Sequence, residues 1–285
     1  VTQTAFDFGP RQHAVPDQIR DLIASGALFV INHSAGKDSQ AMAIVIRSLV
    51  PADQILVIHA DLGRVEWPGN VEHIRETIGE LPLIVCRNEN KDFLSMTANR
   101  GMFPSPKNRQ CTSDLKRGPI HREIARYLHA HPRFGGRVVD CIGLRAEESP
   151  GRAKREVLVN DSEREHEAKR TKGTKLSKAA AGREWWTWLP VHGMTIGEVW
   201  ATIADAGQKR HYAYDLGMSR LSCCFCIMAS ASDLATAARA RPELYREYVE
   251  LEREIGQTMM MPAKGVKRTL EDVTGIRIDE MRAAA

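Results

Sequence analysis

No stretch of this 285-residue sequence approaches the roughly 20 consecutive apolar residues that a membrane-spanning helix requires; apolar runs such as Ala27–Ile31 and Ile55–Ile58 are short. No membrane segment and no membrane partner are expected. The opening residues include Asp7, Asp17 and Asp21 and lack the ordered basic flank, apolar stretch and small-residue cleavage site of a secretory signal, so a cytoplasmic location is expected. There is no internal repeat at a period of roughly 20 to 50 residues, which argues against a solenoid or propeller. Charge of one sign is also missing: 40 Lys and Arg face 36 Asp and Glu, and the resulting +4 is too small to announce a nucleic-acid binder by itself. A G-x-x-x-x-G-K-[ST] loop is absent, which counts against an ordinary P-loop ATPase or kinase. A second Cys-x-x-Cys is absent, so a four-cysteine zinc ribbon is unsupported. Six cysteines in a chain of this size, without an export signal, are not read as a disulfide framework.

What is present is ordinary globular material, 43% hydrophobic and 27% charged, enough for a sizeable core. Residues 17–25 read as a helix, 28–32 as a short buried strand, 39–49 as a helix, 54–59 as a strand, 69–78 as a helix and 83–86 as a third strand. Residues 116–130 read as largely helical and 137–143 as a further strand, with Gly135 and Gly136 turning between them. Such alternation predicts an α/β fold with a doubly wound parallel sheet, whose ligand sites lie at the carboxyl ends of its strands. Beyond it, 195–206 and 242–255 have helical patterns. The expected organisation is an α/β domain over 1–228, with a basic loop inserted at 161–184, and a small helical lobe over 229–285.

The segment Ser34-Ala35-Gly36-Lys37-Asp38-Ser39 falls between a buried strand and a helix, where backbone amides and a helix dipole can converge on an anion. Gly36 is suited to a positive φ and close approach to a phosphate, Ser34 and Ser39 offer hydroxyls, and Lys37 supplies charge. Asp38 is suited to organising Mg²⁺ or to capping the helix. The plainer alternative is a strand-to-helix turn in which Asp38 and Ser39 serve only as caps.

This segment resembles the pyrophosphate loop, usually written SGGKDS, of N-type ATP pyrophosphatases and of the phosphoadenosine phosphosulfate (PAPS) reductase family, with Ala35 in place of the commoner glycine. Four further segments resemble that family in its order, from about Phe29 to Gly256. His59-Ala60-Asp61-Leu62-Gly63 is similar to its second-strand motif, whose acidic residue lies near the nucleotide. Arg109-Gln110-Cys111-Thr112-Ser113-Asp114-Leu115-Lys116 is similar to its R-x-C-T-x-x-x-K segment. Gly143-Leu144-Arg145-Ala146-Glu147-Glu148-Ser149-Pro150-Gly151-Arg152 is similar to its G-x-R-x-x-E-S strand-end motif. Residues 189–226 resemble its closing elements. The resemblance implies an adenine nucleotide alpha-hydrolase-like fold that binds ATP with Mg²⁺ through residues 34–39, Asp61, Arg109, Lys116 and Gly143, with Lys37, Asp38, Cys111, Arg145 and Arg152 catalytic. Lys37, Arg109, Lys116, Arg145 and Arg152 are suited to neutralising a triphosphate and to stabilising the charge that develops on departing pyrophosphate; for each arginine alone, a surface ion pair is the alternative. Glu147 and Glu148 are loop acids, and Glu148 is a candidate for a Mg²⁺ or positioning role.

The family's iron–sulfur members imply that Cys111, Cys223 and Cys226 ligate a [4Fe–4S] cluster with Cys224 in reserve; zinc and unmetallated thiols stay open as alternatives. Cys86 and Cys141 read as small buried hydrophobes. The Glu-Cys-Gly tail of assimilatory sulfonucleotide reductases has no counterpart around Ile278–Arg282. The expectation is therefore an enzyme that cleaves ATP to AMP and pyrophosphate and couples this to sulfur transfer, with reduction of a sulfonucleotide as the alternative. The basic run 168–183 and Trp185, Trp186 and Trp188 hint at a polyanion, against the plainer reading of a solvated loop and packed tryptophans. The acceptor favoured by the resemblance is DNA, as in the sulfur-incorporating component of DNA phosphorothioation, with a cysteine desulfurase as donor; tRNA thiolation and a non-catalytic nucleotide-binding module complete the alternatives.

Overall fold

The computed structural model describes residues 15–171, 183–262 and 265–283. In chain order these form α1 (Asp17–Ala24), β1 (Leu28–Asn32), α2 (Lys37–Leu49), β2 (Ile55–Ala60), α3 (Asn70–Ile78), β3 (Leu83–Cys86), α4 (Phe93–Arg100), α5 (Gly118–Ala130), β4 (Arg137–Cys141), α6 (Pro150–Ala153), β5 (Leu158–Asn160), α7 (Asp161–Thr171), β6 (Glu184–Trp188), α8 (Ile196–Asp205), α9 (Ala231–Ala240), α10 (Pro242–Ile255), α11 (Leu270–Thr274) and α12 (Ile278–Ala283). Cys111–Arg117 is a π-helical segment leading into α5. The chain groups into two compact units: residues up to His59 with Glu72–Ile84 and Arg122–Lys209, and Ala60–Val71 with Val85–His121 and Arg210 onward. The boundary expected at 228/229 falls inside the second of these.

The first unit carries the sheet, in the order β3-β2-β1-β4-β6-β5. β1 pairs in parallel with β2 and β4, and β4 in parallel with β6. The chain is thus an α/β protein of six mostly parallel strands flanked by helices; the exception to the parallel expectation is β5, a short edge strand antiparallel to β6. Burial on both faces explains why β1 reads LFVIN and β2 ILVIHA without polar alternation: Leu28–Ile31 and Leu56–Ile58 are completely buried. Trp188 sets its ring edge-on to Phe29, 6.2 Å between centroids, an arrangement worth about 0.5–1.5 kcal/mol beyond the area it buries. α8, closed at its start by a Thr195/Glu198 capping box, packs on α2. β1 and β4 both end on the side where the loops at 33–36 and 142–149 follow.

Trp185, Trp186 and Trp188 are strand residues of β6, with Trp188 buried, in line with the plainer reading of packed tryptophans; one expectation about the insert changes. The basic run 168–183 begins as the end of α7 rather than as a loop, because Asn160 caps the Glu163 amide at 3.1 Å and Asp161 and Glu163 suit the positive end of the helix dipole. Residues 172–182 of that run lie outside the described residues.

The second unit is built on aromatics. Tyr248 of α10 stacks on Phe93 of α4 at 5.7 Å and on Phe103 at 6.3 Å, and Phe225 meets it at 5.0 Å. α4 has no periodicity that announces it in the sequence; it is fixed by an Asp92/Ser95 capping box and closed by Gly101 at φ 66. α10 starts with Pro242 in its first turn and stops at Gly256, also left-handed.

Candidate functional site

In the first unit, β1 delivers the chain at its carboxyl end into the 33–36 turn, and α2 starts at Lys37. The backbone makes this turn one residue earlier than expected. Ala35 holds φ 62, alone among the described non-glycine residues in having positive φ, while Gly36 is extended at φ −82 and serves as the N-cap of α2. An N-cap residue is extended, so the left-handed position falls on Ala35, the position where the resembling loops carry glycine. A left-handed L-residue costs about 1–2 kcal/mol, and local hydrogen bonds hold it: Ala35 N donates to His33 Nδ1 (3.1 Å), Ser34 N to Ser39 Oγ (3.1 Å), and Ser39 Oγ to the Gly36 carbonyl (2.8 Å). The Ser34 and Ser39 hydroxyls therefore bind the loop itself. Gly36 has no side chain with which to cap α2, so the helix N-terminus is open to an anion from outside.

A network of charges surrounds that terminus. Lys37 Nζ lies 3.3 Å from Asp38 Oδ2, with the lysine side chain 5% and the aspartate 18% exposed. Arg145, 4% exposed, donates from Nε to Asp38 Oδ1 at 2.5 Å, and from its terminal nitrogen to Glu147 Oε2 at 2.5 Å and to the Met194 carbonyl at 3.3 Å. Its own amide donates to Glu148 Oε2 (3.1 Å), and that carboxylate also pairs with Arg152. Burial alone would lower the Arg145 pKa; the hydrogen bond to Asp38 and the charges of Asp38, Glu147 and Glu148 outweigh it and hold the guanidinium above its usual value. The structure thus brings Lys37, Asp38, Arg145 and Arg152 together in one network. The arginines, however, already face carboxylates, because Glu147 and Glu148 follow Arg145 in a tight 3₁₀ turn.

Gly143 belongs to this site for a steric reason. A Cβ there would lie 3.0 Å from the Asp38 carbonyl carbon and oxygen and from Ser39 N, tighter than nearly all such contacts and made with backbone that has little room to give. Gly143→Ala is expected to displace the first turn of α2 and to cost about 1–3 kcal/mol, the usual price of overpacking. Urea unfolding checks the stability, and nucleotide titration should show weaker binding as well.

Two buried titratable groups lie near the strand ends. Burial, with repulsion from His59 and His73, pushes His33 down to about 3; it is neutral, with Nδ1 accepting from Ala35, which places its proton on Nε2. On β4, burial lifts Asp140 to about 7, with Asp161 adding to the shift and hydrogen bonds from Asn32 and Trp185 opposing it; Asn32 Nδ2 is 2.5 Å from Asp140 Oδ1. The signs are opposite. The depressed histidine makes stability fall as pH drops from 6.5 toward 3, because the unfolded chain takes up the proton first. The raised aspartate makes stability fall as pH rises from 3.8 toward 7, because the folded chain must give up a proton it holds more tightly. Over the shared window the two offset. His33→Asn, which keeps an acceptor for Ala35 N, is expected to leave stability falling with rising pH; Asp140→Asn is expected to leave it falling with acid. Urea midpoints measured across this window check both.

The remaining expected residues lie in the second unit. Asp61 accepts the Gly63 amide at 2.7 Å, and Arg109 Nε donates to the Pro106 carbonyl at 3.1 Å; both bonds are local. Lys116 is half-buried on the π-helical segment, within electrostatic reach of Cys111, Cys223, Cys226 and Glu66. Burial alone would lower its pKa, and those groups outweigh it and raise it. Burial pushes Cys223 up to about 12 against the pull of Lys116, and Cys224 up to about 12 against Arg241, whose terminal nitrogen is 3.7 Å from Cys224 Sγ. Burial also raises Cys111. Cys226 Sγ accepts the Met228 amide at 3.5 Å.

The cysteines implied as cluster ligands therefore share one neighbourhood, but among the described residues no group of three or more His, Cys, Asp or Glu side chains is placed to hold a metal ion. The Lys116 ammonium in their midst suits an anionic group. Tyr248, Glu66 and Arg241, which complete the neighbourhood, carry no motif that singles them out in sequence; nor does His33, beyond its place beside the loop.

An α/β sheet with an anion-ready helix terminus at the end of its first strand, and a thiol group set around a lysine, define the class. The chain belongs to the phosphoadenosine phosphosulfate reductase domain family, whose model matches residues 29–229. It is 29% identical over 171 residues to a 37.8 kDa protein of the gpa 5' region of Escherichia phage 186, covering 60% of this chain and 45% of that one; the chain thus spans less than half the length of this curated relative. Among solved structures it is similar to PAPS reductase from Candida auris in a phosphate complex (15% identity, 72% of this chain and 86% of that one, TM-score 0.44) and to FMN adenylyltransferase from Candida glabrata with FAD and inorganic pyrophosphate (10%, 74% and 67%, TM-score 0.39).

Proposed function

We propose that the chain cleaves ATP, supplied with Mg²⁺ as its counter-ion, to AMP and pyrophosphate, and so activates an acceptor for sulfur transfer. The observation that carries this reading is the α2 N-terminus: a helix start with no side-chain cap, a buried lysine in its first residue, and Arg145 locked against the neighbouring Asp38. Backbone amides, helix dipole and Lys37 favour charge on departing pyrophosphate. Asp38, held by Arg145, in turn holds the Lys37 ammonium. An acceptor oxygen attacks the α-phosphorus, pyrophosphate leaves, and a sulfur nucleophile then displaces AMP. The thiols of the second unit supply the soft chemistry for handling that sulfur, and no step is routed through a cluster. The acceptor we infer is DNA, from the acid-free basic run 168–183 in the sequence, with a cysteine desulfurase as donor.

The test incubates the protein with ATP and Mg²⁺, with and without DNA and a desulfurase, and separates AMP plus pyrophosphate from ADP plus phosphate. AMP and pyrophosphate, with sulfur entering the DNA, are expected; ADP would end the reading. Membership in a family named for sulfonucleotide reduction favours a second reading, which sulfite release from PAPS with a thiol donor would establish instead. Nucleotide binding with no turnover would leave a binding module.

A further inference from the structure

Four of the five cysteines in the second unit lie around one hydroxyl that the proposed chemistry has not yet used. Tyr248 is completely buried among Phe93, Phe103 and Phe225, yet its Oη has no hydrogen-bond partner among the described residues. The thiols of Cys223, Cys224, Cys226 and Cys111 all lie within its electrostatic reach. A buried, unpaired hydroxyl is destabilising, and that cost is recovered when the hydroxyl donates to a bound group. Lys116 points to the sign of that group: its ammonium lies within reach of three of the same thiols. Two donors facing soft sulfur nucleophiles suit a sulfur anion. The Cys226 sulfur accepts the Met228 amide at 3.5 Å and is half-buried, as are Cys111 and Cys223, whereas Cys224 is fully buried against Arg241.

We propose that Cys226 carries a persulfide whose terminal sulfur is held as an anion by the Lys116 ammonium and the Tyr248 hydroxyl. The donor is a persulfide, on a protein or on a small thiol. The Cys226 thiolate attacks the outer sulfur of the donor, a new S–S bond forms at Cys226, the donor's S–S bond breaks, and the donor sulfur leaves with the electron pair and takes a proton. Sulfur is transferred with no external oxidant or reductant. The inference rests on the sulfur-transfer reading above and assigns the sulfur to one residue.

The experiment incubates reduced, anaerobic full-length protein with cysteine persulfide, removes the excess, and measures sulfane sulfur by cold cyanolysis and by peptide mass. Near-stoichiometric loading is expected, as the mass of one added sulfur on the peptide containing Cys226. Cys226→Ser should abolish it. Tyr248→Phe keeps the stacked ring and should shorten the half-life of the loaded sulfur by about tenfold, the worth of one hydrogen bond to a charged group, with a melting temperature no lower than the parent's. Full loading of Cys226→Ser, or an unchanged half-life in a folded Tyr248→Phe, would overturn the proposal. Pyrophosphate release from ATP, measured on the same preparations, separates the two readings: release without loading defeats the persulfide alone, and loading without release defeats ATP activation alone.

Discussion

Replacing Lys37 by methionine is expected to slow pyrophosphate release from ATP by about a hundred- to a thousandfold, the usual loss when one preorganised donor to a developing charge is removed. Methionine matches the length of the lysine stem and keeps its packing, and Asp38 retains Arg145 as a partner, so the fold should persist. The charge on the leaving pyrophosphate exists chiefly in the transition state. The loss should therefore appear mainly in kcat and only weakly in KM. Steady-state kinetics, with the melting temperature as a control, check this; a rate within a few-fold of the parent would remove Lys37 from the chemistry and leave it a buried structural cation.

The second large effect is structural. Arg145→Met leaves Asp38 and Glu147 without the guanidinium that joins them and leaves the Met194 carbonyl without its donor. Because Arg145 is almost wholly buried, breaking this pair is expected to cost up to about 3–5 kcal/mol, moderated because Asp38 keeps Lys37 at 3.3 Å and because Glu147 is 48% exposed. Arg145→Lys restores one charge but cannot reach three acceptors with a fork, so it should recover only part of the stability. Denaturant unfolding of both variants gives the two numbers. An Arg145→Met protein as stable as the parent would show that the network is incidental.

Much of the first unit is legible in the sequence because its strands are continuous apolar runs and its turns carry glycine. The edge strand β5 is not, since three half-buried residues have no periodicity to read. The π-helical stretch from Cys111 and the short helix α4 also escape, because their packing partners, Tyr248 among them, come from distant sequence. The loop residues 34–39 announce themselves by composition, but their roles shift on folding. Ala35 takes the left-handed turn assigned to Gly36, the serines bind their own loop, and the arginines arrive already paired because the acids beside them share one tight turn. Gly143 is named by resemblance, while its reason, a backbone contact with Asp38, is visible only in three dimensions. The cysteines are found as a set, while the Lys116 ammonium among them, which suits an anionic group, is visible only in three dimensions.

The central claim is that the α2 terminus directs cleavage between the α- and β-phosphates. ATP labelled in its α- and γ-phosphates, incubated with the protein, Mg²⁺ and acceptor, reads this directly. Labelled AMP and labelled pyrophosphate, both lost in Lys37→Met, are the result predicted; labelled ADP with labelled inorganic phosphate would contradict it.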